Sequence, residues 1–258
     1  MWVAELRFRI IADTNLSIAE QQVRRYLETL IFNGQILGRE FPTYQTDDAF
    51  CSRVVLPAQD ALSTGHHSLL GKAAMEAFAQ AGLAYPQLTL LGPDLMSSHT
   101  DPCTEAKHYI VFSHFAENVS PVRCAEHFAP VPLYRLQPTG SKQDHEELIR
   151  WQLQYQALDE VQMQQERVLH KSAEKALQGL HSTLNRQGRR FARRIEQQQG
   201  KTCYYYLYSG SSTDCQAEAT KACPSCGEPW RLQESWHELF QFRCEPCRLV
   251  SNIAWDCQ

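Results

Sequence analysis

Cys223-Pro-Ser-Cys226-Gly-Glu-Pro-Trp opens, and Cys244-Glu-Pro-Cys247-Arg closes, the stretch that decides the C-terminal fold. Seventeen residues separate the two Cys-x-x-Cys pairs. That spacing predicts a four-cysteine structural zinc site, in which each knuckle presents two thiolates to one tetrahedral ion. A unit of about thirty residues buries too little apolar surface to fold alone, and the metal–thiolate bonds supply the missing free energy. Trp230-Arg-Leu and Leu239-Phe-Gln-Phe-Arg between the knuckles read as the two strands of a hairpin. Four sulfurs leave no position for water, so zinc at Cys223, Cys226, Cys244 and Cys247 is structural. A redox-active pair of dithiols is the rival reading.

Upstream of the ribbon the chain reads as α+β, with an N-terminal α+β domain over 1–140, a helical region over 141–202 and a strand plus ribbon over 203–258. Val3 to Ile10 alternates polar and apolar residues, as a strand with one buried face does. A turn at Asp13-Thr14-Asn15 follows. Ser17 then caps a helix that carries Ile18, Val23, Tyr26, Leu27, Leu30 and Ile31, and Asn33-Gly34 ends it. Gly38–Gln45 and Phe50–Leu56 are the next strands. A helix over about 67–80 packs Leu69, Leu70, Ala73, Ala77 and Phe78 inward and stops at Gly82, and a strand covers 87–91. Strand–helix–strand–strand–helix–strand is the order of a ferredoxin-like split βαβ fold. His108–Phe112 adds a strand, and Val131–Leu136 a short extended segment.

Ser141-Lys-Gln-Asp144 resembles a capping box and starts helical character that runs to about Gln199. The glutamine run 162–165, Gly179 and Gly188 break it into two or three helices. Its apolar stripe suits a helical hairpin packed on the N-terminal sheet better than a coiled coil, because the heptads stop too soon.

A second ligand set is Cys103 with His108 and Cys124 with His127, at a separation similar to the ribbon's. Cysteine and neutral histidine both bind zinc. His99 and His114 lie close enough in sequence to substitute. The bland alternative is two buried thiols and two surface histidines.

Arg186, Arg189, Arg190, Arg193 and Arg194 crowd nine residues, and Tyr204-Tyr-Tyr-Leu-Tyr208 follows. Arginines on phosphates with rings stacked on bases is how single-stranded nucleic acid is held. In that reading Tyr204 and Tyr206 stack. In the rival reading the tyrosines form an ordinary strand with half its rings buried, and the arginines pair with Asp144, Glu146, Glu147, Asp159, Glu160, Glu166 and Glu174. The ribbon is charge-neutral and helps neither side.

The 258 residues are 43% hydrophobic and 21% charged, the composition of a globular chain. No apolar run approaches the roughly 18 residues of a membrane span, and the N-terminus lacks a signal peptide's apolar stretch. Both features predict a cytoplasmic protein, where ten cysteines serve as metal ligands and buried thiols. A net charge of −4 confines any nucleic-acid contact to a local patch. The phosphate-cradling glycine loop, the zinc-protease helix and the nucleophile elbow are all missing, so a binding role is expected over an enzyme's. His66-His67 beside Ser63 and Ser68 reads as a solvated pair.

Several strings together resemble a bacterial family of uncharacterised zinc-ribbon proteins described as candidate nucleic-acid binders. They are Asn33-Gly-Gln-Ile-Leu-Gly, Pro130-Val-Pro-Leu-Tyr-Arg, Trp151 with Tyr155, Gly188-Arg, Arg194-Ile-Glu, Tyr204-Tyr-Tyr-Leu-Tyr, and the ribbon through Trp255. They cover nearly the whole chain. The resemblance implies a zinc ribbon and a nucleic-acid ligand, which the arginine cluster and tyrosines narrow to RNA or single-stranded DNA. It also implies Cys-x-x-Cys around Cys124, where this chain has His127. The other expectation is a protein-interaction module, an adaptor or an inhibitor that neutralises a basic partner.

Overall fold

The structure is a computed structural model that describes residues 1–11, 15–141, 143–164 and 168–258. The turn expected at Asp13-Thr14, Lys142 of the capping box, and Gln165 and Glu166 lie outside the described residues. The fold is mixed α+β with two sheets. The chain divides into two units. The first is Met1–Pro102 with Asn118–Ser120 and Ala129–Glu147, and the second is Cys103–Glu117 with Pro121–Phe128 and Leu148–Gln258.

In the first unit, β1 (Trp2–Arg9) is followed by α1 (Leu16–Phe32), β2 (Thr43–Gln45), β3 (Ala49–Leu56), α2 (Leu69–Glu76) and β4 (Gln87–Pro93). The sheet order is β2-β3-β1-β4, antiparallel throughout. The alternation of β1 places Ala4, Leu6 and Phe8 in the core with Val23, Tyr26, Leu27 and Leu30 of α1. On the other pleat Arg7 pairs with Asp48 at 2.7 Å, and Tyr44 donates to Glu5 at 3.1 Å.

Three local expectations shift here. Asn15, not Ser17, caps α1: its side chain accepts the Ser17 and Ile18 amides, and Ile18 is 54% exposed. Ser68 caps α2, which turns Gly71, Ala74 and then Phe78 inward and leaves Leu69 and Leu70 exposed. The segment expected to be extended at 131–136 instead makes a 3-10 turn, Leu133–Arg135, behind Pro132. Gly82 does stop its segment, at φ 68°.

The second unit contains β5 (Tyr109–Val111) and β6 (Val122–Cys124), then α3 (Glu146–Met163, whose first two residues belong to the first unit), α4 (His170–Gln178) and α5 (Thr183–Gln199). β7 (Cys203–Tyr206), α6 (Cys215–Thr220), β8 (Arg231–Trp236), β9 (Phe240–Cys244) and β10 (Leu249–Ser251) complete it. One six-stranded sheet has the order β6-β5-β7-β10-β9-β8. β7 runs parallel to β5 on one side and to β10 on the other. The division therefore falls elsewhere than 140 and 202, because the ribbon strands, the tyrosine strand and the 103–128 hairpin share one sheet. The helices pack on that sheet, not on the N-terminal one expected: Trp151 Nε1 donates to the Leu184 carbonyl at 3.0 Å and its ring lies 6.1 Å from that of Tyr205. Gly188, expected to weaken the helix, sits inside α5 where a Cβ would overlap the Tyr205 and Trp151 rings.

Cys215 and Cys257 form a disulfide, against the expectation that cysteines serve only as ligands and thiols. The start of α6 and the last 3-10 turn run side by side and bring their Cα atoms to 5.2 Å. No helix among the described residues is long and apolar enough to cross a membrane.

Candidate metal centre

Each half of the ribbon is built by a tight turn. Gly227, at φ 80°, follows the first pair and donates its amide to the Cys223 carbonyl at 2.8 Å. Only glycine takes that conformation without strain. Between the pairs, β8 and β9 join through the turn 237–239, in which His237 and Glu238 take left-handed φ values of 55° and 57°. Trp230 packs on Phe242 at 5.2 Å beneath them and donates Nε1 to the Lys221 carbonyl at 3.0 Å. Trp255 is 44% exposed and donates Nε1 to the Tyr208 hydroxyl at 3.0 Å. The second pair leads directly into β10, and the Arg248 carbonyl accepts the Tyr205 amide at 2.8 Å.

The four sulfurs of Cys223, Cys226, Cys244 and Cys247 lie within 4.8 Å of one another and could hold a metal ion. The Cys226 and Cys244 sulfurs are 3.7 Å apart. A tetrahedral ion with bonds of about 2.3 Å to sulfur sets its sulfurs about 3.75 Å apart, so the donor set fits. Burial pushes the Cys223 and Cys244 thiols up, whereas the Glu228 amide draws the Cys226 thiol down. A bound cation would hold all four as thiolates.

The second ligand set is partly assembled. Cys103, Cys124 and His127 converge, and His127 Nδ1 is 3.5 Å from the Cys103 sulfur and 3.7 Å from the Cys124 sulfur. His108 is not among them. It is exposed just before β5, where Tyr109 takes the inward pleat and the His108 carbonyl accepts the Ala125 amide. His114 accepts the Ala116 amide instead, and His99 is exposed in the first unit.

The structure places Tyr204 and Tyr206, expected to stack on bases, inside the protein. Tyr205 packs against Trp151 on one face of β7, Tyr204 and Tyr206 against Trp236 and Phe240 on the other, and Tyr204, Tyr205, Tyr206 and Tyr208 are all buried. Tyr204 donates to Glu245 at 2.6 Å, Tyr205 to Asn185 at 2.7 Å and Tyr206 to Asn252 at 3.0 Å. Burial raises the Tyr204 and Tyr208 hydroxyls to about 12. The arginines sit on α5 with Leu184, Phe191, Ala192 and Ile195 buried beneath. Arg186, Arg190, Arg193 and Arg194 are exposed, and Arg189 is half-buried. Arg186 reaches Thr183 Oγ1 and Arg193 the Arg189 carbonyl, both within the helix. His67 is no solvated residue: it is buried, with Nε2 2.9 Å from the Tyr26 hydroxyl.

Residues 103–208 match the family model described as "Domain of unknown function (DUF2310)". Residues 1–92 and 212–257 match two more, described as "Domain of unknown function (DUF8589)" and "Domain of unknown function (DUF8594)". The chain is 31% identical over 261 residues to a Haemophilus influenzae protein, with 99% of each covered. It belongs to that protein's family. A second family relative from Haemophilus influenzae is 34% identical over 178 residues, 69% of this chain and 87% of the relative. Both relatives are described as "Uncharacterized protein". No solved structure matches the chain. In family terms, the ribbon falls in the 212–257 match and the Cys103, Cys124 and His127 set in the 103–208 match.

Proposed function

We propose that this is a non-enzymatic, cytoplasmic zinc-ribbon protein that binds the phosphate backbone of RNA or single-stranded DNA along α5. The observation that carries this is one exposed helix face holding Arg186, Arg190, Arg193 and Arg194 on a buried, apolar base. A rigid row of guanidiniums suits phosphate oxygens. With the tyrosines buried, the contact is electrostatic and tolerant of sequence. Zinc at the four cysteines is structural, since four thiolates fill a tetrahedral ion. Eight cysteines stand outside the disulfide, in keeping with a reducing compartment. The antiparallel order β2-β3-β1-β4 favours a ferredoxin-like first unit.

Fluorescence anisotropy of the zinc-loaded chain against short RNA, single-stranded DNA and duplex DNA tests the reading. Four neutralised phosphates give a slope of log affinity against log salt of about −2.8 on a single strand. Arg190→Glu with Arg193→Glu removes about 1.4 of it and weakens binding at low salt. No binding at low salt, or a slope the double variant leaves unchanged, refutes the reading.

One observation favours a protein partner instead. β4 is an edge strand, and Leu88, Leu90 and Leu91 on it are exposed at 39–49%. An open apolar edge accepts a further strand, as adaptors and inhibitors do. Capture of a protein that Leu88→Lys with Leu90→Lys abolishes would replace the nucleic-acid reading.

A further inference from the structure

The β5–β6 hairpin repeats the ribbon. Cys103 precedes Cys124 by twenty-one residues, as Cys223 precedes Cys244, and three more residues lead to His127 and to Cys247. Cys124 is the last residue of β6 and Cys244 the last of β9. The backbone repeats as well. Phe128, four residues after Cys124, has φ 56°, whereas Gly227 and Arg248, four after Cys223 and Cys244, have φ 80° and 54°. Phe128 donates its amide to the Cys124 carbonyl at 2.8 Å, as Gly227 does to Cys223. A left-handed conformation costs a side-chain-bearing residue about 1–2 kcal/mol, so phenylalanine there is held by its surroundings. The turn 124–128 thus has the closure of the ribbon's first knuckle, with histidine in the place of its second cysteine.

The side chains complete the parallel. A tetrahedral zinc with bonds of about 2.3 Å to sulfur and about 2.05 Å to nitrogen sets a sulfur and a nitrogen about 3.6 Å apart. His127 Nδ1 stands 3.5 Å and 3.7 Å from the sulfurs of Cys103 and Cys124. One nitrogen at that distance from two sulfurs on different segments is the arrangement of donors around a shared ion. We propose that Cys103, Cys124 and His127 Nδ1 bind a second zinc ion, in a degenerate copy of the ribbon. Ala106 stands where the ribbon has Cys226, so the fourth ligand is an oxygen donor, water or carboxylate. The ion ties the segment before β5 to the end of β6. The proposal is independent of any nucleic-acid ligand, because metal content is read without one.

Elemental analysis and zinc-edge X-ray absorption of the intact, unmodified chain test it. Four sulfurs at the ribbon and two at the second site predict about two zinc ions per chain, with a mean shell of about three sulfurs and one nitrogen or oxygen. Cys124→Ser with His127→Ala lowers the content to about one zinc and returns the shell to four sulfurs. About one zinc with four sulfurs in the unmodified chain overturns the proposal, and so does a folded double variant that retains two. If the double variant does not fold, the unmodified chain decides alone.

Discussion

His145 offers a sharp test of the first unit's interior. Its side chain is fully buried, Nδ1 lies 3.2 Å from Thr139 Oγ1, and its amide donates to the Phe32 carbonyl at 2.8 Å. Nε2 has no partner of hydrogen-bond geometry among the described residues. Burial therefore pushes this histidine down from 6.5 to about 4, and the nearby Leu133 and Leu136 carbonyls pull the other way without reversing it. Above pH 6.5 the folded and unfolded chains are both neutral at this position, and the contribution to stability is fully present. Below 6.5 the unfolded chain takes a proton that the folded chain refuses, and stability falls until about pH 4. At about 1.4 kcal/mol per pH unit, the loss across that window is about 3 kcal/mol. His67, also lowered by burial, adds a loss of the same sign. Urea unfolding of the wild type and His145→Gln between pH 7.5 and 4.5 isolates the term, since the variant lacks it. Histidine NMR of the folded wild type checks it directly. A His145 titration midpoint near 6.5, or a variant as acid-sensitive as the wild type, refutes the reasoning.

Two further substitutions probe the second unit. Gly188→Ala in an exposed helix would add about 1 kcal/mol of stability; here its Cβ meets the Trp151 ring at 2.7 Å, so a net loss of about 1–3 kcal/mol in urea unfolding is expected, and a gain would show that the rings yield. Arg123 is 5% exposed, pairs with Glu117, and lies over the Phe112 and Phe128 rings at 5.6 and 5.5 Å. Glu117→Ala strands that buried charge and should cost about 3–5 kcal/mol, whereas Glu117→Leu with Arg123→Met should recover most of it in the same assay.

How much of this was legible in the sequence depended on the range of the forces involved. The four-cysteine cluster was readable because two knuckles and a hairpin fix its geometry within 25 residues, and β1 because alternation is local. The tyrosine strand was misjudged for the opposite reason. Alternation alone would leave half of the rings exposed, and only the packing of Trp151 on one face of β7 and of Trp236 and Phe240 on the other buries them all. His108 fitted a loose knuckle by spacing alone, but the pleat of β5 sends it outward. The face of α2 was off because the structure buries Gly71 and Ala74 with Phe78, small residues that a hydrophobic stripe passes over, and leaves the larger Leu69 and Leu70 exposed. The Cys215–Cys257 pairing depends on a helix meeting the last turn of the chain, which no motif records.

The same long-range pairing changes what the ribbon is for. A free-standing ribbon would need its metal merely to fold itself. Here Arg248, in the second knuckle, gives its carbonyl to the Tyr205 amide and its guanidinium to Glu196 of α5 at 3.2 Å. Tyr205 in turn donates to Asn185 near the start of α5, and Asn185 donates to the Leu177 and Gly179 carbonyls at the end of α4. Each of these bonds is buried or half-buried, so losing one partner exposes the other to the cost of an unmatched polar group. A metal ion held by the four cysteines would fix the knuckle that leads into β10 and, through the pairing of β10 with β7, the helix that carries the arginines. On the proposed reading, removing that ion would loosen the helix on which the phosphate contacts are made.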